Sequence, residues 1–160
     1  MHDVYLQHGK ATRTFSRREF AEAIRLLEPL VVRSPGSGGL HGSLAQAYLG
    51  MGRFEDAEAS FKRSLESMPD DRQFLLGLAE SLRRNNKHRE ALLFYERVLA
   101  LSPQSIEAHR GLGMAHTALG NSEQAREHFL RHVELNPNSP EALPRKRAAC
   151  IGLVYYPWIR

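Results

Sequence analysis

Apolar residues recur along this chain at helical spacing, in paired runs separated by polar breaks. In the middle of the sequence Leu75, Leu78, Ala79 and Leu82 fall at i, i+3, i+4 and i+7, and after a break Ala91, Phe94, Tyr95, Val98 and Leu99 repeat that spacing. Each run puts one apolar stripe on an amphipathic helix. The breaks hold Gly52, Asn85-Asn86 and Gly120, residue types that tolerate the positive φ at which helices end. Ser105 before Ile106-Glu107, and Asn121 before Ser122-Glu123-Gln124, are placed to accept hydrogen bonds from the first free amides of a helix.

The paired runs obey a fixed ruler. Pro35, Pro69, Pro103 and Pro137 are spaced by 34 residues, as are Ala23, Ala57, Ala91 and Ala125. Leu44, Leu78 and Leu112 share a column, Ala11, Ala45, Ala79 and Gly113 fill the next, and Leu27, Phe61, Tyr95 and Phe129 form a column of large apolar residues. A constant period of this length marks a solenoid, whose units bury their apolar faces against their neighbours. The repeat frames are 4–37, 38–71, 72–105 and 106–139, an array over 1–139 followed by a segment at 140–160 that breaks the period. The prolines fall between frames, where they stop one helix and open the next turn.

The pattern Leu78-Ala79, Leu82, Ala91, Tyr95, Pro103 resembles the tetratricopeptide repeat (TPR), and four in-phase copies cover residues 4–139. The first copy departs most, with Lys10, Thr14 and Leu27 where the family prefers leucine, tyrosine and an aromatic residue; polar substitution is expected of a terminal repeat with one face toward water. The resemblance implies an all-α fold, a right-handed α-solenoid of four TPR-like helix-turn-helix repeats plus an atypical C-terminal segment. It also implies a non-catalytic scaffold that binds a protein, as a peptide or helix, in the concave groove lined by the first helix of each repeat. The inward positions it implies are Gly42, Gln46 and Leu49, then Leu76, Glu80 and Arg83, then Arg110, Met114 and Thr117. Arg84, also a groove candidate, stands at i+4 from Glu80 on the same helix, and that pairing would leave Arg83 and Arg110 as the unpaired cations. Gly42, Gly77 and Gly111 each cost a helix about 1 kcal/mol relative to alanine. Close helix packing accounts for them on one reading, and room for a ligand on the other. The dicarboxylate clamp by which some members grip chaperone tails is not implied. Its places hold His8, Thr12, Ser43, Gln73 and Gly77, or one repeat later Gly42, Gln46, Gly77, Glu107 and Gly111, and neither set has the cations a terminal carboxylate needs.

Composition narrows the partner. Net charge is +4, but counted by frame it runs +2 for 1–37, −3, +3 and −1, then +3 for 140–160. Lysine and arginine therefore form no continuous stripe, and no nucleic-acid partner is expected. No membrane span and no export signal are evident, one cysteine, Cys150, makes no internal disulfide, and a cytoplasmic location is expected. Nucleophile-and-base groupings and phosphate-cradling glycine loops are absent, so no catalysis and no cofactor are expected. His128 and His132 lie at i and i+4, but two ligands do not close a zinc site, and His109 and His116 belong to the partner helix; no metal is expected. After Pro137 a helix start at Ser139-Pro140-Glu141 meets Pro144, then Arg145-Lys146-Arg147, and the chain runs into Tyr155-Tyr156-Pro157-Trp158. That apolar tail seeks burial, against the last repeat, in another copy through self-association, or as the start of a further domain. The alternative function is therefore an accessory TPR region of a larger enzyme.

Overall fold

The computed structural model describes residues 17–137. The expectations placed on the first helix of the first repeat and on 140–160, including Lys10, Thr14 and Cys150, lie outside them. Seven helices follow one another: α1 (Arg17–Arg33), α2 (Gly38–Met51), α3 (Phe54–Ser67), α4 (Arg72–Arg84), α5 (His88–Leu101), α6 (Ile106–Ala118) and α7 (Ser122–Leu135). Among the described residues there is no strand, and no helix is long and apolar enough to cross a membrane. The fold is an all-α solenoid in which each helix packs on the next.

Local sequence explains the breaks. Gly52 and Gly120 adopt φ of 78° and 79°, and Asn86 takes φ 60° where the third repeat lacks glycine. Asn is the residue other than glycine best suited to that conformation. Ser105 caps α6 as expected, its Oγ accepting from the Ala108 amide at 3.3 Å. Asn121 does not cap α7; its side-chain amide lies 3.3 Å from His116 Nδ1 instead. Asp71, which the repeat pattern does not single out, caps α4 by accepting from the Gln73 and Phe74 amides.

The columns of the sequence form the core. Leu44, Leu78 and Leu112 are buried, as are Ala23, Ala57, Ala91 and Ala125, with Ala57 and Ala91 wholly inaccessible. Leu27, Phe61 and Tyr95 are likewise enclosed, each contributing about 1.5–3 kcal/mol by burial, whereas their column-mate Phe129 stays half-exposed. The glycines are resolved in favour of packing. A Cβ on Gly42 would collide with the Phe74 ring, on Gly77 with Phe61 and on Gly111 with Tyr95. The space these glycines leave is filled by aromatic rings from adjacent helices, so the expectation of ligand room there is corrected.

Polar contacts join the layers at recurring places. Ser64 of α3 donates to the Gly38 carbonyl at 2.8 Å, and His132, two periods later on α7, lies 3.2 Å from the Ile106 carbonyl through Nδ1. Glu58 on α3 is buried and bonded to Lys62 at 2.7 Å and to Lys87, in the α4–α5 turn, at 2.8 Å. Burial alone would raise its pKa; the two ammonium groups outweigh that and hold it below the usual carboxylate range.

Candidate functional site: the inner faces of α2, α4 and α6

The first helices of the repeats approach one another. Besides packing on its sequence neighbours, α4 touches both α2 and α6, while α1, α3, α5 and α7 do not approach one another to a comparable extent. An array whose first helices are drawn together curves with those helices inside. The side on which α2, α4 and α6 approach one another is the candidate surface.

On α2, Gln46 and Leu49 are half-buried, and the Gln46 amide makes no side-chain hydrogen bond among the described residues. On α4, Leu76 is half-buried; on α6, Arg110 and Met114 are exposed, Met114 to 38%. Thr117 is exposed, with its hydroxyl donating to the Gly113 carbonyl at 2.8 Å. Leu76 also lines a cavity of about 430 Å³ with Arg72, Gln73, Ser102, Gln104, Ser105 and Glu107, which extends this surface toward the loop between the third and fourth repeats. Arg72 donates there to Ser102 Oγ at 3.3 Å. Gln73 and Glu107 of this lining stand one period apart, at equivalent places in the sequence, which are among the places of the clamp that lack its cations.

The charge pairing differs from expectation. Glu80 is held by Arg83 rather than Arg84, through Nε at 3.0 Å and Nη2 at 2.6 Å. The Tyr95 hydroxyl donates to the same carboxylate at 2.9 Å. The planar guanidinium at i+3 meets both oxygens of Glu80, whereas Arg84 lies over the Phe54 ring, 5.1 Å from its centroid. Burial pulls the Arg83 pKa down, but Glu80 more than offsets it and raises the value above normal; burial first, and Glu80 next, push the Tyr95 phenol well up. Arg83 is thus neutralised and largely covered, its side chain being 14% exposed. Arg110 makes no ion pair among the described residues.

Equivalent tyrosine chemistry lies on α2, where Tyr48 donates to Glu28 at 2.8 Å. Burial, then Glu28, pushes this phenol up to about 12. The sequence does not suggest the two tyrosine–carboxylate bonds, because their partners lie on different helices. His128 and His132 do not converge on one point: His128 Nδ1 faces His109 Nδ1 at 3.2 Å, while His132 Nδ1 faces the Ile106 carbonyl. Among the described residues no group of three or more metal-ligating side chains is assembled.

Two family models of the tetratricopeptide repeat match the sequence, over residues 43–106 and 82–148. Protein CTR9 homolog of Arabidopsis thaliana is 34% identical over 99 residues, 61% of this chain and 9% of that protein. Tetratricopeptide repeat protein 8 of Caenorhabditis elegans is 27% identical over 113 residues, 71% of this chain and 21% of its own length. The chain thus spans a small part of these relatives. Among solved structures, a MamA double mutant superposes with a TM-score of 0.75 at 21% identity, over 84% of this chain and 76% of that one.

Proposed function

The chain belongs to the tetratricopeptide repeat family, and from that premise we propose that it is a protein-interaction scaffold holding a peptide or helix against the inner faces of α2, α4 and α6. The observation that carries this reading is the approach of α4 to α2 and α6, without a matching approach among the other helices. On this reading Gln46, Leu49, Leu76, Arg110, Met114 and Thr117 lie along one side of the array. Leu49, Leu76 and Met114 suit apolar side chains of a ligand. With Arg83 satisfied by Glu80, Arg110 is the place for an acidic one.

Arg83 is accordingly a poor binding probe. Arg83→Glu would set two carboxylates together beneath Tyr95, and its effect on stability would mask any effect on a partner. Arg110→Glu is clean, since the side chain is exposed and unpaired. A partner recovered with the intact chain and then measured by calorimetry should bind Arg110→Glu weaker by about 2 kcal/mol, roughly thirtyfold in Kd. Its remaining affinity should depend less on salt. Arg97→Glu on α5, where the exposed Arg97–Asp70 pair contributes little, should leave affinity within about threefold. Binding that survives Arg110→Glu and fails in Arg97→Glu would refute the groove.

A further inference from the structure

We propose that the α6–α7 hairpin is a proton-sensitive latch, closed when His128 is neutral and loosened as pH falls below about 6.5, the ordinary histidine value. Four imidazoles lie at this one hairpin. His109 Nε2 is 3.1 Å from the Pro103 carbonyl, which can solely accept, so Nε2 carries the proton and Nδ1 of the neutral ring is bare. His128 Nδ1–H then donates across the hairpin to His109 Nδ1 at 3.2 Å. His116 stacks on the other side of His128, rings 3° from parallel with centroids 5.6 Å apart. On the next turn of α7, His132 Nδ1–H donates to the Ile106 carbonyl, and its Nε2 is buried without a hydrogen-bond partner among the described residues.

An extra proton on His128 would charge a ring between His109 and His116, and burial first, then those two neighbours, already lower its pKa. Opposing charge is slight: Glu127, on α7 itself, is the carboxylate that acts on His128. Arg131 and Glu134, lining the same cavity of about 340 Å³, pair with each other at 3.1 Å. None of the groups acting on His128 comes from α4 or α5, and α5 meets α6 here through Tyr95 against Gly111.

At His128 the unpacked hairpin thus binds a proton more readily than the packed one, so this contribution to its stability is present above the ordinary histidine pKa and is lost as pH falls through and below it. The Glu58 clasp, a carboxylate with a lowered pKa, fails at more acid pH, which separates the two events. Repeat arrays open locally from their ends without global unfolding, and loosening here would disturb the seat of Arg110, Met114 and Thr117 on α6.

Hydrogen exchange of the full chain, corrected for intrinsic rates and read by peptide at about pH 7.5 and about pH 5.5, tests this. Protection of α7 should fall about tenfold more than protection of α3, one histidine displaced by one pH unit being a factor of ten. The third repeat has no histidine in these columns, so His109→Leu, His128→Phe and His132→Val install the equivalents of Leu75, Phe94 and Val98; this triple variant should keep α7 protection unchanged between the two pH values. His128→Phe alone, which places on α7 the residue that Phe94 supplies at the same column of α5, should show a reduced acid response. Equal loss of protection in α3 and α7, or an undiminished acid response in either variant, would overturn the latch.

Discussion

Ala91→Glu should destabilise the array by about 3–5 kcal/mol, the usual cost of an uncompensated buried charge. Ala91 has no accessible surface and begins the apolar stripe of α5 where it lies against α4. The position belongs to an interior repeat whose loss uncouples both neighbours. Ala100→Glu on the exposed side of the same helix should change stability by less than about 0.5 kcal/mol. Thermal and urea unfolding followed by circular dichroism would give both values. Equal, small effects would mean that the repeat register is wrong by at least one residue.

The second large effect reverses the sign that helix propensity alone gives. Gly77→Ala and Gly111→Ala should each stabilise an isolated helix by about 1 kcal/mol, yet here each should destabilise the protein by about 1–3 kcal/mol. The new methyl groups would meet Phe61 and Tyr95, rings with essentially no exposed surface and, for Tyr95, a hydroxyl tied to Glu80. Neither ring can swing aside cheaply. Combining Gly111→Ala with Tyr95→Leu should cost less than the sum of the two single changes, since the smaller side chain makes room. Stabilisation by Gly111→Ala would show that the glycine is not a packing site.

The same pairs show what the sequence could and could not reveal. The columns at Ala91, Leu78 and Tyr95 are legible because a repeat obliges every unit to bury the same positions, and Gly52, Asn86 and Gly120 because backbone conformation constrains residue type locally. The glycine question stays open in the sequence, since Gly77 and Gly111 receive rings from the preceding repeat and composition does not reveal which ring reaches which gap. Glu80 has two cations within helical reach; Arg83 takes it through two nitrogens, while Arg84 lies over the Phe54 ring of another helix. The histidine joint does leave a trace: His41 and His109 stand two periods apart, each six residues after an inter-repeat proline, and each bonds that proline's carbonyl. That trace is legible as spacing, though its pairing with His128 needs the second helix in place.

Site-specific photo-cross-linking addresses the central claim most directly. A photoreactive residue placed singly at Leu76 or Met114, on the proposed inner face, and at Leu93, 64% exposed on α5, would be activated with the isolated partner bound. The groove requires capture from Leu76 and Met114 and little from Leu93, with adducts on a contiguous stretch of the partner. Capture from Leu93 with none from Leu76 or Met114 would contradict it.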